Sequence, residues 1–570
     1  MKTEKIIHTL FSLLLIVGIL FVFGCQQTNE LESETANGQV ENGEFATGLR
    51  FWTAEGDATK VAFENPDYAA IKIGSEGRYE ATVYQNIKNL TPGYYYLEAR
   101  ASSDGDQDAC YLFAVSQAPG GTVCKTAVPR KAKDGEWKTV TVRGIEVKED
   151  GELKIGVYAR GNGQAALFNG FTLNREKNQS RCYPGLFGGA VSWLDWEEDS
   201  GALFYNENGK QEDALTILRD SGCNAVRLEL YNNPGSYIDS YGSYFPAGYK
   251  DADAIFSLAK RANALGMKIF LSFMYSDYWG NSAIPADWLA KLDEYANDME
   301  KASSLAKMLH DYTVSFLRRL KDAGIEPPYI ALGNEIDAGI LLPYGSSYGG
   351  ERFLSVLTKF LNKGYEAVKE VFPDSQVVLH IGCNADDMHW SSKSGGGIWF
   401  FDLMEKHGVQ YDVIGTSFYP YWAQTTDRNA VKKSLDLGDL KEWCEMMIDR
   451  YNKDILICES GYNWGTPGQL SNNGAYENIY PSTPSGQRDF MIDLINTVKS
   501  VKDGRCVGDL YWDPILVRQP GIGWALYDNG KARPNVVETT TFFDYEHKAL
   551  PVLHAYRDNA ETPYASQEGR

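Results

Sequence analysis

Two apolar runs, each ending in a glutamate, constrain this chain more than any other feature. They are Tyr329-Ile-Ala-Leu-Gly-Asn-Glu335 and Asp454-Ile-Leu-Ile-Cys-Glu-Ser-Gly-Tyr462. A continuous apolar run of this length, bounded by turn residues, reads as a strand buried on both faces. A carboxylate at the C-terminal end of such a strand adds nothing to packing. It does lie at the face where barrel enzymes assemble their sites. Two such carboxylates, brought together by the fold, are what retaining glycoside hydrolysis needs, one as acid/base and one as nucleophile, about 5–5.5 Å apart. Taken singly, each glutamate reads equally well as the end of a strand held in an ion pair.

The surrounding pattern favours chemistry. From residue 181 onward, strand-like runs alternate with helical periodicity. The strands are expected at 187–193, 224–230, 267–273, 329–335, 377–383, 413–419, 454–460 and 507–512. Helical patterns between them include 212–220, 252–265, 304–323, 353–371, 440–451 and 487–501. Eight such units predict an α/β fold, a (β/α)8 TIM barrel over 181–560 with enlarged loops. Glu335 then ends the fourth strand and Glu459 the seventh. A doubly wound open sheet is the alternative, and it gives no reason for glutamates at those two ends.

At 570 residues the chain is too long for one ordinary core. Residues 42–175 show short alternating runs separated by Gly, Pro, Asn and Asp, the texture of an all-β sandwich preceding the barrel. A polar linker, Glu176 to Ser180, follows. The order of features in 42–175 resembles a jelly-roll carbohydrate-binding module: Asn42-Gly-Glu-Phe45 before Trp52, the Leu90-Thr-Pro-Gly-Tyr-Tyr95 turn, Trp137 before a late strand, and Leu167-Phe-Asn-Gly-Phe-Thr-Leu173 at its close. A structural spacer is the alternative role. Asp104, Asp106 and Asp108 imitate the start of a calcium loop, but Val115 stands where the bidentate Glu belongs, so they read as a solvated loop. The resemblance to such modules leaves a structural calcium possible.

The formal net charge of −21 argues against nucleic acid or an anionic membrane surface as partner. The 13 Trp and 35 Tyr suit carbohydrate, whose apolar faces stack on aromatic rings, although β-rich proteins also use these residues for packing. Residues 1–24 have the basic start and apolar centre of a secretory signal. Val22-Phe23-Gly24-Cys25 resembles a bacterial lipobox, which makes Cys25 the expected lipidation site and 25–41 a flexible tether. The expected location is therefore extracytoplasmic, lipid-anchored to a bacterial membrane. Of nine cysteines none is spaced C-x-x-C, and there is no H-E-x-x-H, so no zinc site is expected. Cys110 and Cys124 are placed to bridge a hairpin.

Beyond the two glutamates, residues 183–556 resemble glycoside hydrolase family 53, the arabinogalactan endo-β-1,4-galactanases. The stretches that carry the likeness are Gly188-Gly-Ala-Val-Ser-Trp-Leu194, Asn224-Ala-Val-Arg-Leu228, Tyr275-Ser-Asp-Tyr-Trp279, Gly333-Asn-Glu-Ile336, Asp412-Val-Ile-Gly-Thr-Ser-Phe-Tyr-Pro-Tyr-Trp422, Tyr480-Pro-Ser-Thr-Pro-Ser-Gly-Gln487 and Tyr511-Trp-Asp-Pro514. The resemblance implies Glu335 as acid/base, Glu459 as nucleophile and Arg227 as the arginine that keeps Glu459 ionised and oriented. Asn334 would contact the sugar 2-hydroxyl, Tyr419 would hydrogen-bond Glu459, and Trp512 would lie under the sugar. Trp279, Trp422 and Trp464, in loops after strands, are candidates for stacking along the glycan. No organic cofactor and no catalytic metal is implied.

Four positions depart from the family pattern. Met274 stands for a His, Ala190 for an Asp, Glu229 for the second Arg of Arg-Leu-Arg, and Asp513 for a Glu. Hydrolysis of β-1,4-galactan is the leading expectation. A same-clan glycosidase acting on another hemicellulose or a modified galactan is the second, and a non-catalytic surface glycan-binding protein the third.

Overall fold

The computed structural model describes residues 39–64, 69–179, 185–236, 238–279, 283–383, 396–422, 435–465 and 476–564. The signal stretch, Cys25, most of the tether and Cys182 lie outside the described residues.

Eight parallel strands close into a barrel: Leu186–Ala190, Ala225–Leu230, Lys268–Phe273, Tyr329–Leu332, Gln376–Cys383, Val413–Phe418, Asp454–Ser460 and Cys506–Tyr511. Their interior is filled by Leu186, Ala225, Phe270, Ala331, Val378, Val413, Leu456 and Leu510, with Cys458 and Val507. Strand side chains alternate with period two. Counting on from this inner layer, the next inward positions towards the C-terminal mouth are Arg227 and Glu229, Ser272 and Met274, Glu335, His380, Ser417 and Trp512. Strand seven breaks the count. Thr416 pairs with Ile457 but Ser417 pairs with Glu459, so Cys458 is an inserted residue. A bulge of this kind re-aims the side chain that follows it, and here it turns Glu459, rather than Ser460, towards the mouth. The helices that cover the barrel carry recognisable caps. Asp251 and Asn297 cap theirs through backbone amides, and Asp436 with Asp439 forms a capping box.

The preceding residues form two antiparallel sheets. One has the order Thr53–Gly56, Arg78–Ile87, Leu153–Asn162, Ala109–Val115, Thr122–Ala127; the other Val61–Glu64, Ala70–Gly74, Ala165–Arg175, Gly93–Ser103, Lys138–Val147. Alternate residues such as Tyr79, Ala81, Val83 and Ile87 face the core between them. Phe45, Trp52 and Phe171 close one end, with Trp52 4.7 Å from Phe171. Past the barrel the chain returns to this sandwich, where Thr562–Pro563 pairs with Val123 and Thr122, an edge strand the sequence reading did not contain.

One expectation is corrected. Cys110 and Cys124 are separate buried thiols. Cys124 lies opposite Ala114, and Cys110 opposite Ala159 on another strand, so the hairpin register keeps them apart. Asp104, Asp106 and Asp108 lie in a solvated loop, as expected, and face cations there: Asp104 is 2.9 Å from Lys131, Asp106 2.8 Å from Arg488, and Asp108 3.8 Å from Arg160. Among the described residues no cluster of three His, Cys, Asp or Glu has the geometry of a metal site.

The sandwich docks on the barrel helix Pro484–Ser500. Arg143 donates to both oxygens of Glu176 at 3.0 and 2.8 Å and to the Lys499 carbonyl at 2.7 Å. The Lys499 ammonium reaches the Lys125 carbonyl, the Thr126 hydroxyl and Asn559 at 3.0–3.2 Å. Burial pushes that ammonium down to about 7. Both Arg143 and Glu176 are buried, so removing the arginine takes from the carboxylate a cation that donates to both of its oxygens. Arg143→Met is expected to lower unfolding free energy by about 3–5 kcal/mol, read by urea denaturation, and adding Glu176→Gln is expected to recover part of the loss.

Candidate active site

The barrel mouth holds a pocket lined by Glu335, Glu459, Asn334, Tyr419, Trp512, Trp279 and Trp422, with Met274 and Glu229 among its walls. Seven of the expected site residues therefore meet in one cavity, although they are spread over more than 200 residues of sequence.

Arg227 lies beneath the pocket and is fully buried. Its Nη1 donates to Glu459 Oε1 at 2.6 Å, its Nη2 to Asn334 Oδ1 at 2.6 Å and its Nε to Ser272 Oγ at 3.2 Å. Glu229 Oε1 is 3.3 Å from the same guanidinium. Burial opposes the charge, but Glu459 and Glu229 outweigh it and hold the guanidinium protonated. The second oxygen of Glu459 accepts from Tyr419 at 2.6 Å. Both carboxylate oxygens are thus fixed by short, charge-favouring hydrogen bonds.

Glu335 is built differently. Its backbone is left-handed, with φ +46°, a conformation that costs a non-glycine residue about 1–2 kcal/mol. Asp513, which also lines the pocket, shares it (φ +46°), so two residues of the mouth carry backbone strain where their side chains are displayed. Glu335 Oε1 accepts from Ser417 Oγ at 2.7 Å, and Ser417 Oγ lies 3.0 Å from His380 Nε2. His380 is fully buried, and burial, aided by Arg227, keeps its imidazole neutral. Because Ser417 gives its proton to Glu335, His380 must donate through Nε2 to Ser417. Burial and the neighbouring Glu459 push the Glu335 carboxyl up to about 8, with the Ser417 bond working in the opposite direction. One carboxyl is therefore an acid still protonated at neutral pH, and the other is a carboxylate clamped by arginine and tyrosine.

The sequence profile of Glycosyl hydrolase family 53 matches residues 186–556. The chain belongs to glycoside hydrolase family 53. Its relatives include the arabinogalactan endo-beta-1,4-galactanase of Thermothelomyces thermophilus, 29% identical over 379 residues that cover 64% of this chain and 98% of that one. The endo-beta-1,4-galactanase of Bacillus subtilis (strain 168) is 26% identical over 405 residues, 65% of this chain and 85% of that one. Among solved structures, the Ignisphaera aggregans GH53 catalytic domain superposes with a TM-score of 0.55 at 26% identity, covering 67% of this chain and 98% of that chain.

Within this family 53 barrel one expected aromatic is misplaced. Trp464 does not line the pocket. Its indole is buried, donates to Thr541 Oγ1 at 3.2 Å and packs edge-on against Tyr545, and its backbone amide donates to the Thr539 carbonyl at 2.8 Å, which seats it against the C-terminal segment. Trp279 and Trp422 are about half exposed, at 53% and 49%. Trp279 rests edge-on against Trp524, and Trp422 against Tyr419. The sequence reading missed Trp193, Tyr231, Phe245, Lys250, Asp513 and Trp524, all in the pocket wall. Trp193 and Asp513 stood inside quoted motifs and could have been found there. Lys250 lies twenty residues past its strand, in Ala-Gly-Tyr-Lys, with no signal at all.

Removing the Ser417 hydroxyl deletes a bond that favours ionised Glu335. A ¹³C titration of the Glu335 carboxyl is expected to show a midpoint near 8 in the wild type and a higher one in Ser417→Ala.

Proposed function

We propose that the protein is an endo-acting glycosidase that hydrolyses β-1,4-galactan with retention of configuration, exported and lipid-anchored through Cys25. The observation that carries this reading is the contrast between Glu335, held protonated, and Glu459, clamped by Arg227 and Tyr419, in a family 53 barrel.

Glu459 attacks the anomeric carbon as the bond to the leaving oxygen breaks, and Glu335 delivers its proton to that oxygen. The leaving chain departs with a free hydroxyl, and a covalent glycosyl ester remains on Glu459. Glu335, now ionised, takes a proton from water, whose oxygen attacks the same carbon and frees Glu459. Arg227 and Tyr419 hold the attacking oxygens and stabilise the carboxylate as it is released. The amide of Asn334, with its oxygen committed to Arg227, turns its nitrogen towards the sugar 2-hydroxyl. Trp512 underlies the reacting sugar, and Trp279 and Trp422, exposed at the rim, stack on neighbouring units. Residues 25–41 hold the catalytic unit away from the membrane, and the sandwich serves as a glycan-binding module. The galactanase names of the relatives support galactan as substrate.

Met274, Ala190 and Glu229 favour a second reading in which the preferred glycan is another hemicellulose or a substituted galactan. Reducing-end release from β-1,4-galactan, xylan, mannan and arabinan separates the two. Glu335→Gln and Glu459→Gln are each expected to cost at least about 10³-fold in kcat, and ¹H NMR of the first product formed is expected to show the β-anomer. Release from galactan by neither the wild type nor any variant, together with release from another glycan, would transfer the mechanism to the second reading. An α-anomer as first product would overturn retention.

A further inference from the structure

One end of the pocket carries polar groups that the mechanism above does not use. Lys250, in the loop after strand two, has a left-handed backbone (φ +58°) and is only 3% exposed. Its ammonium donates to Glu229 Oε2 at 2.6 Å and lies 4.0 Å from the Trp193 ring centre. An ammonium has three donors, and Glu229 occupies one of them. Glu229 is itself fully engaged, since its other oxygen faces Arg227. Asp513, at the end of strand eight beside Trp512, lines the same pocket and is 2% exposed, yet its Oδ1 has no hydrogen-bond partner among the described residues.

A buried acceptor without a partner is costly, and here it shares a cavity wall with a buried cation that has donors to spare. The other charged groups nearby are accounted for. Glu229 and Arg227 pair with each other, Glu459 is held by Arg227 and Tyr419, and Glu197 behind the wall is kept neutral by burial. Burial pushes the Asp513 carboxyl up to about 7, with Lys250 pulling it down and Glu229 and Glu459 raising it. A further anion in the ligand would face Glu229, Asp513, Glu335 and Glu459, so an acidic sugar fits poorly. A neutral hydroxyl, donor and acceptor at once, satisfies both groups: Lys250 donates to its oxygen, and Asp513 accepts its proton.

We propose that Lys250 and Asp513 form a specificity-determining clamp on one hydroxyl of the galactosyl unit that reacts at Glu459. The clamp rests on the galactanase reading. With Asn334 turned to the 2-hydroxyl and C4 occupied by the linkage, the clamped hydroxyl is at C3 or C6. It gives Glu229, which replaces the family's arginine, a role: it holds Lys250 in place.

The test uses the full-length protein and 4-nitrophenyl β-1,4-galactobioside, alongside three analogues deoxygenated at C2, C3 or C6 of the unit that bears the nitrophenol. Lys250→Met and Asp513→Asn are each expected to lose about 10- to 100-fold in kcat/KM on the parent, the range of a hydrogen bond to a charged group. On one analogue, the same for both variants and not the 2-deoxy compound, that loss is expected to shrink to about threefold or less. Lys250→Met/Glu229→Gln removes the ion pair as a unit and guards against misfolding caused by a stranded carboxylate; Glu229 also faces Arg227, so its loss is expected to shrink on the same analogue by the same factor as that of Lys250→Met, without vanishing. Variant losses equal on all three analogues, or collapsing on different analogues for the two residues, overturn the clamp while leaving the galactanase reading intact. A folded wild type that releases no nitrophenol from the parent, and no reducing ends from galactan, overturns the galactanase reading and the clamp with it.

Discussion

The site depends on the burial of one guanidinium. Arg227 has no exposed surface and would be prohibitively costly in that position without partners. Its compensation comes from four strands: Glu229 on its own, Ser272 on the third, Asn334 just past the fourth and Glu459 on the seventh. The pairing is reciprocal. Arg227 makes it possible to bury Glu459 and Glu229, and they keep it charged. Because the contacts cross the barrel, they also set the relative height of the strand ends, and so the positions of the groups displayed above them.

Around this fixed charge two chemically identical side chains acquire opposite character. Glu459 meets a guanidinium and a phenol, which donate to its two oxygens. Glu335 meets a buried wall, the charge of Glu459 and a single serine hydroxyl. The neutral His380 behind Ser417 matters because a charged imidazole there would draw the serine proton arrangement, and Glu335 with it, towards ionisation. The difference between the two carboxyls is therefore a property of surroundings supplied by strands two, five, six and seven, and not of the glutamates themselves.

The departures from the family pattern gather in one region. Met274 and Glu229 line the pocket, Ala190 is buried in strand one beside Arg227, and Asp513 ends strand eight. In this chain Glu229 takes its cation partners from Arg227 on its own strand and from Lys250 on a loop. The sandwich, joined through Arg143, Glu176 and Lys499, is fastened to the opposite side of the barrel wall by the helix Pro484–Ser500 and does not contribute to the lining of the pocket.

The barrel was legible because its strands are apolar runs bounded by turns, and each of the eight expected strands lies within a few residues of the observed one. The two glutamates were legible for the same reason, since a charge at the end of such a run has no packing explanation. Arg227, Asn334, Tyr419 and Trp512 followed from motifs next to those strands. Period two could not show that Glu459 rather than Ser460 faces the mouth, because that depends on a bulge formed only when strand seven pairs with strand six. Trp464 and Trp279 both follow strands as aromatic loop residues. Only tertiary contacts, with Thr539 and Thr541 for Trp464 and with Trp524 for Trp279, decided that the first is core and the second is rim. Lys250 and Asp513 become neighbours through barrel closure, which brings strand eight beside strand one and strand two one place further on. Local sequence determines which residues are buried and with what period. Which charges meet, and therefore what each can do, is decided by contacts hundreds of residues apart.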